Sequence, residues 1–394
     1  MTKRDLINAV KYNGLLYRFY YYFGSFSLRI LGRFIKQKPN LIVFSSFGGR
    51  KYDDSPRCIF EAMSKDKRFS DFTFMWALGN PENFEIPNAQ KVKCDTIAYY
   101  KALLSARVWI TNSTMERGLS FKPRRIFNLN TWHGTPIKLM GSDINKDNAS
   151  FGSLSSECHD DIMLAQGKYD VDVFSRAFTI PKERFRIIGL PRNDELIHGN
   201  TEKKEQKIRA KLRIPNTKKV ILYAPTFREY DMDSIGNCKL TIPFNLEKWE
   251  EKLGHQYVLL FRAHYEVVKV LGIKDDTFIR NVSSYDNLNE LMIVSDLLIS
   301  DYSSIFFDYS IQDKPMLCFA YDYDKYNKAR GMYFDIREKI PNYTNEDNLI
   351  DELQHLDDSK HIENTKLFRK EFIESYGDAS QQAVELIYEK LRCK

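Results

Sequence analysis

The chain has 394 residues, of which 43% are hydrophobic and 28% are charged, with a formal net charge of +6 at pH 7. These values are ordinary for globular proteins and exclude a largely disordered chain. The length suits two domains of usual size, each with its own core.

The N-terminal segment 1–38 combines positive charge with aromatic and aliphatic side chains. It holds a single acid, Asp5, against eight cations: Lys3, Arg4, Lys11, Arg18, Arg29, Arg33, Lys36 and Lys38. This pattern predicts an amphipathic segment that associates with an anionic membrane surface. The alternative is a helical hairpin packed on the first domain. No stretch reaches the roughly 18 uncharged apolar residues of a spanning helix, so the chain is not expected to cross the membrane.

The cysteines lie far apart in the sequence and show neither a CxxC pair nor zinc spacing. They are Cys58, Cys94, Cys158, Cys238, Cys318 and Cys393. A reduced cytosol fits this distribution best.

After Pro39, short apolar runs alternate with stretches that can be helical. The runs are nearly continuous, which is typical of parallel strands buried on both faces. A first series comprises 41–47, 73–78, 90–94, 108–112, 126–132, 161–166 and 185–189, and a second comprises 219–226, 257–263, 278–282, 297–301 and 315–320. The order predicts an α/β protein with two doubly wound domains.

Polar residues follow several predicted strands, where ligands bind in such sheets. The segments are Trp132–Pro136, Pro225–Arg228, Arg262–His264 and Asp301–Ser304. Neither GxGxxG nor GxxxxGK[ST] is present, so the sequence contains no dinucleotide or P-loop motif.

These strand-end residues suit a nucleotide diphosphate. Ser303 and Ser304 precede a predicted helix, and Arg192, Arg228 and Arg262 offer guanidinium groups. As alternatives, Ser303 serves only as a helix cap, and the arginines form salt bridges with neighbours such as Asp194 or Glu229.

Two of the seven histidines, His133 and His264, end predicted strands. A neutral imidazole can take a proton from an attacking hydroxyl, and an imidazolium can neutralise phosphate. Short acidic pairs such as 231–233 and 322–324 follow no clear strand, so we expect neither a metal nor another cofactor.

Together these motifs resemble the CDP-glycerol glycerophosphotransferase family of teichoic acid primases and polymerases. The resemblance extends from about Leu41 to the C-terminal helix. The motifs that carry it are Asp53–Arg57, Asn130–Lys138, Gly189–Asp194, Tyr223–Arg228, Arg262–His264, Ser300–Asp308 and Gly377–Ser380.

The resemblance implies a GT-B architecture, with two Rossmann-like domains facing a cleft. We expect a membrane-associating segment at 1–38, an acceptor-side domain at 39–198, a donor-binding domain at 199–376 and a helix at 377–394 that crosses back. The resemblance further implies that His133 and His264 are catalytic. The implied donor-binding residues are Trp132, Gly134, Thr135, Pro136, Arg192, Pro225, Thr226, Arg262, Ala263, Ser303, Ser304 and Asp308.

The implied reaction moves glycerol phosphate from CDP-glycerol to a polyprenyl-diphosphate-linked saccharide at the cytoplasmic face of the membrane and releases CMP. A CDP-ribitol donor or a capsule polymer is the main alternative. A UDP-sugar transferase and an inactive nucleotide-binding scaffold are further alternatives. No nucleic acid partner is expected, and the oligomeric state stays open.

Overall fold

The computed structural model describes residues 13–144, 159–199, 201–226, 228, 242–263 and 275–392. These residues form two compact units. Unit 1 contains the described residues of Met1–His133, Gly141–Arg192 and Glu374–Lys394, and unit 2 contains those of Gly134–Met140 and Asn193–Ile373.

Unit 1 is built on a seven-stranded sheet in the order β3-β2-β1-β4-β5-β6-β7, with every neighbouring pair parallel. All seven strands coincide with predicted apolar runs. They are β1 (Leu41–Ser45), β2 (Thr73–Leu78), β3 (Gln90–Lys93), β4 (Val108–Thr111), β5 (Phe127–Asn130), β6 (Ile162–Ala165) and β7 (Phe185–Ile187).

Five helices belong to the described part of unit 1. They are α1 (Gly14–Phe34), α2 (Asp54–Lys65), α3 (Ile97–Ser105), α4 (Lys168–Ala177) and the C-terminal helix α13 (Ala379–Arg392). Buried residues of α13 join strand and α2 residues in one apolar core, which includes Phe44, Phe60, Trp76, Val384 and Ile387. The C-terminal helix is therefore an integral part of unit 1.

Unit 2 repeats the same winding in a parallel sheet of order β10-β9-β8-β11-β12-β13. Its strands are β8 (Lys219–Tyr223), β9 (Tyr257–Phe261), β10 (Ile279–Asn281), β11 (Leu297–Ser300), β12 (Met316–Phe319) and β13 (Asn342–Tyr343). The first five match predicted runs. The edge strand β13 was not predicted because two residues carry no periodic pattern.

The described helices of unit 2 are α5 (Asp194–His198), α6 (Glu202–Lys211), α7 (Leu246–Leu253), α8 (Leu288–Val294), α9 (Ile305–Ser310), α10 (Tyr323–Arg330), α11 (Glu346–Gln354) and α12 (Asp358–Phe372). A second apolar core, around Trp249, Phe261 and Phe319, lies against this sheet. The prediction of two Rossmann-like sheets is confirmed.

The strand order of each sheet reverses beside its first strand, between β1 and β4 in unit 1 and between β8 and β11 in unit 2. Open α/β sheets bind ligands beyond the carboxyl ends of the strands at this switch point. A functional site is therefore expected in the loops that follow these four strands.

Helix α1 packs on unit 1 through one face. Ser25 and Gly32 are its buried residues. The Ser25 hydroxyl accepts a hydrogen bond from the Ser120 amide at 2.9 Å, and Arg29 Nε donates to the Ser120 carbonyl at 2.7 Å. In the described residues, no helix combines the length and the apolar character needed to span a membrane.

Candidate active site

At the switch point of unit 1, hydrogen bonds join the loops after β1 and β4. The Phe47 amide donates to Asn112 Oδ1 at 2.7 Å, and the Gly48 amide donates to Ser113 Oγ at 3.0 Å. These bonds fix the first β–α loop of the unit against the end of β4.

His133 lies at this junction. Its Nδ1 is 2.7 Å from the carbonyl oxygen of Asn112. Because a carbonyl oxygen can only accept a hydrogen bond, Nδ1 carries the proton, and in the neutral ring Nε2 keeps its lone pair. The rings of Trp132 and Phe47 lie 4.3 Å and 5.7 Å from the imidazole, centroid to centroid. The contacts fix the orientation of the ring and leave Nε2 as the nitrogen that can accept a proton.

The electrostatic surroundings favour the neutral form of His133. Burial lowers its pKa below the ordinary value of 6.5, and the positive charges of Arg192 and Arg50 lower it further. The Asn112 hydrogen bond and the Asp54 carboxylate act in the opposite direction but do not cancel the shift. A histidine with a lowered pKa is deprotonated at neutral pH, as a general base must be.

The turn that carries His133 is held by buried polar side chains. Trp132 has a φ of +49°, an uncommon value for a residue with a side chain, and its amide donates to Asn130 Oδ1 at 2.8 Å. The side-chain nitrogen Nδ2 of Asn130 donates to Asp160 Oδ2 at 2.9 Å, and both residues are buried. Asp160 therefore holds the Asn130 side chain, which in turn holds the turn at Trp132.

Arg192 belongs to unit 1 and is paired there. Its NH1 lies 2.9 Å from Asp54 Oδ2, with only 13% and 6% of the two side chains exposed. Its backbone amide donates to Ser55 Oγ at 3.3 Å. The acidic motif at the start of α2 thus holds Arg192, a partner that sequence proximity did not suggest.

The switch point of unit 2 has a corresponding link. The amide of Thr226, after β8, donates to Asp301 Oδ1, after β11, at 2.8 Å. The Thr226 hydroxyl is buried, and no residue in the described ranges is a hydrogen-bond partner for it. Pro225 is only partly buried. An unsatisfied hydroxyl at this position suits a polar ligand.

Arg228 serves unit 2 as a structural residue. It is buried, lies 2.8 Å from both Asp301 Oδ2 and Asp322 Oδ2, and stacks on the rings of Tyr302 and Tyr326. The two carboxylates raise its pKa, although burial opposes them. Its charge is therefore balanced inside the unit.

Arg262 follows β9 and connects that strand to the next loop. Its NH1 donates to the carbonyl oxygens of Val282 and Tyr285 at 3.0 Å and 2.7 Å, and the neighbouring Ala263 amide donates to Ser283 Oγ at 3.1 Å. These bonds shape the loop after β10.

Ser303 and Ser304 lie partly exposed at the start of α9. The Ser303 hydroxyl accepts a hydrogen bond at 3.3 Å from the amide of Ile305, the first residue of the helix, and Ser304 is the N-cap residue. Asp308 is buried, and its Oδ1 accepts from Asn193 Nδ2 at 2.8 Å. Asp308 thus has a structural partner within unit 2.

The segment after His133 is assigned to unit 2. Thr135 and Pro136 are buried, and Gly134 is partly exposed. The Leu139 amide donates to the Gly331 carbonyl at 3.1 Å. The motif around His133 therefore contributes residues to both units.

The second predicted catalytic residue, His264, and the acidic pair at 231–233 lie outside the described residues. Within the described ranges, no group of three or more His, Cys, Asp or Glu side chains could hold a metal ion.

Sequence reasoning missed Asn112, Asp160 and the role of Phe47. Asn112 is buried and is the last residue of the predicted run 108–112, directly after β4 in the structure, which was a usable signal. Nothing local in the sequence linked it to His133, 21 residues away.

Two parallel Rossmann-like sheets with polar residues at their switch points define a fold of the GT-B type. A structure of a variant of the wall teichoic acid polymerase TagF has a TM-score of 0.83 and 33% identity, covering 93% of both chains. The family profile described as CDP-glycerol:poly(glycerophosphate) glycerophosphotransferase matches residues 27–389. The chain belongs to that family.

Relatives of known name agree with this assignment. A teichoic acid poly(glycerol phosphate) polymerase from Staphylococcus epidermidis is 35% identical over 374 residues, covering 90% of this chain and 51% of that protein. A teichoic acid glycerol-phosphate transferase from Staphylococcus aureus is 32% identical over 366 residues, covering 89% of this chain and 93% of that protein. The chain thus spans about half of the first relative and nearly all of the second.

Proposed function

We propose that this chain transfers glycerol phosphate from CDP-glycerol to a polyprenyl-diphosphate-linked acceptor in teichoic acid biosynthesis and releases CMP. The observation that carries the proposal is His133, whose proton is fixed on Nδ1 by Asn112 and whose lowered pKa leaves Nε2 free to act as a base. Family membership supplies the donor class.

In the proposed reaction, an acceptor hydroxyl attacks the phosphorus that carries the glycerol. A new P–O bond forms, the bond between that phosphorus and the bridging oxygen of CMP breaks, and the hydroxyl proton passes to His133 Nε2. The leaving CMP gains negative charge, which needs hydrogen-bond donors or cations. We assign this support to His264 and Arg262.

The donor is proposed to bind chiefly to unit 2. The buried, unsatisfied hydroxyl of Thr226 supports this placement, and so do the hydroxyls of Ser303 and Ser304 at the start of α9. Pro225 and Ala263 would line the same strand ends. Contributions from Trp132, Gly134, Thr135, Pro136, Arg192 and Asp308 belong to the same proposal, with Arg192 and Asp308 acting through their buried partners.

Peripheral attachment to the cytoplasmic face of the membrane is proposed through α1. Opposite its packed face, the helix exposes a stripe of large apolar side chains at a spacing of three or four residues, which lie along one side. The stripe consists of Leu15, Phe19, Tyr22, Phe23, Phe26, Ile30 and Phe34, and several members exceed 60% exposure. Exposed Arg18 and Arg33 accompany it and suit anionic headgroups.

Donor competition tests the proposed activity. Purified protein with a lipid-linked acceptor should incorporate label from CDP-glycerol, and an equal concentration of unlabelled CDP-ribitol should leave most of that incorporation intact. Incorporation from CDP-ribitol alone at the same or a higher rate would overturn the choice of donor. Failure with both donors would overturn the proposed function.

A further inference from the structure

The first β–α loop of unit 1 has a backbone shape that glycine makes possible. Gly48 and Gly49 have φ values of +63° and +87°, in the left-handed region. A Cβ at Gly49 would lie 2.6 Å from Cys94 Sγ. The Gly48 carbonyl accepts from Arg117 NH1 at 3.0 Å, so the loop is held in place. In Rossmann-like sheets, a glycine-rich loop at this position is where a phosphate approaches the backbone.

The loop ends in two exposed cations, Arg50 and Lys51. Within the described ranges, neither side chain donates a hydrogen bond or forms an ion pair. This differs from Arg192 and Arg228, whose charges are balanced by buried carboxylates. The loop therefore presents two positive charges that no ion pair among the described residues neutralises.

This charge lies close to the proposed base. Phe47, which begins the loop, contacts the His133 ring, and both residues bond to Asn112. The Arg50 guanidinium is near enough to act electrostatically on His133. A ligand group bound by Arg50 and Lys51 would therefore be a neighbour of the hydroxyl that His133 deprotonates.

We propose that the loop Gly48–Lys51 is a binding site for an acceptor phosphate, namely the phosphodiester next to the attacking hydroxyl. The inference rests on the proposed function and specifies its acceptor. In a chain that ends in glycerol phosphate, three carbons at most separate the terminal hydroxyls from the last phosphate, so one ligand can reach both the base and the cations. A saccharide terminus without phosphate would leave both cations unused.

The acceptor class is thus an alditol phosphate terminus, and the chemistry is extension of an existing phosphodiester. The step that supplies this acceptor must itself attach a phosphate-bearing unit to the carrier.

The test compares two double variants of the full chain. Arg50→Ala with Lys51→Ala removes the proposed site, and Lys65→Ala with Lys67→Ala removes the same charge from exposed positions at the far end of α2 and just after it. Two water-soluble acceptors serve as probes, one ending in glycerol phosphate and the other in a saccharide without phosphate. Because hydrogen bonds to charged groups are strong, the first variant should raise the acceptor KM at least about tenfold for the phosphate-ended probe.

For that variant, the KM for CDP-glycerol and the KM for the phosphate-free probe should stay within about twofold of wild type, because only phosphate contacts are lost. The Lys65 and Lys67 control should match wild type with both probes. Equal KM values for the phosphate-ended probe in the two variants would overturn the inference.

Calorimetric titration of the phosphate-ended probe without donor separates this inference from the proposed function. If wild-type protein transfers nothing from CDP-glycerol, the proposed function fails, but a weaker Kd in the Arg50 and Lys51 variant alone would still support a phosphate site. The same Kd in all three proteins would contradict it.

Discussion

The carbonyl oxygen of Asn112 accepts a hydrogen bond from His133 Nδ1 at 2.7 Å. The residue that follows β4 thereby selects the tautomer of a histidine that follows β5. The side chain of the same asparagine accepts from the Phe47 amide, so one residue organises three loops at the switch point. The base proposed for this enzyme is thus fixed by backbone geometry, whereas many catalytic histidines are oriented by a carboxylate.

The first prediction concerns pH. His133 must be neutral to act, and its pKa lies below 6.5, so the acid limb of kcat/KM should have its inflection below pH 6.5. Asp54, Arg192 and Arg50 are the charged groups that act on it. Since Arg50 lowers the pKa, Arg50→Ala should move the limb to higher pH, while Lys65→Ala should not. An unchanged or lower inflection in Arg50→Ala would contradict this electrostatic account.

The second prediction concerns the turn beneath His133. Asn130→Ala removes the side-chain oxygen that holds the Trp132 amide, so kcat should fall at least about tenfold as the base loses its position. Asn128→Ala is the matched control, because Asn128 also donates to buried Asp160 but does not contact the turn. Each variant should lose about 1–3 kcal/mol of stability. A similar kcat in both would show that Asn130 has only a structural role.

The third prediction concerns the buried charges of unit 2. Arg228→Ala leaves the Asp301 and Asp322 carboxylates without their cation, and should lower the free energy of unfolding by about 3–5 kcal/mol. Lys219→Ala breaks a half-exposed pair with Asp358 and should cost less than about 1 kcal/mol. Denaturant unfolding measures both. Equal stability of the two variants would contradict the structural assignment of Arg228.

The fourth prediction concerns α1. Replacing Phe19, Phe23 and Phe26 with serine removes exposed rings without touching the packed face, and should weaken co-sedimentation with anionic vesicles at least about tenfold. Leu367→Ser, at an exposed position on α12, should have no effect. Substitution is a cleaner test than removal of 1–38, which would also take away the Arg29 and Ser25 contacts to Ser120. Unchanged vesicle binding would favour a purely structural helix.

The sequence predicted twelve of the thirteen described strands because buried parallel strands are continuous apolar runs. It also predicted polar groups at the switch points, since motif residues follow those strands directly. The strand β13 was not predicted, because an edge strand of two residues has no hydrophobic pattern to detect. Strand ends were placed slightly too far along, as in the run 126–132, where β5 ends at Asn130 and Trp132 lies in the turn.

Partners distant in the chain could not be predicted. Arg192 pairs with Asp54, 138 residues away, and Arg228 pairs with Asp322, 94 residues away. The two arginines, which the sequence offered as phosphate ligands, are therefore each held in an ion pair with a carboxylate of the protein. Conversely, Arg50 has the exposed charge that a phosphate needs, yet it was not singled out because only the fold brings its loop to His133.

Transfer of labelled glycerol phosphate by His133→Ala tests the central claim most directly. Wild-type protein should convert CDP-glycerol and acceptor into CMP and extended product, and the variant should lose at least about a hundredfold in kcat while keeping the stability of wild type and its Kd for CDP-glycerol. His355→Ala, which changes an exposed histidine of unit 2, should retain wild-type kcat. A folded His133→Ala protein with wild-type kcat would contradict the assignment of His133 as the base.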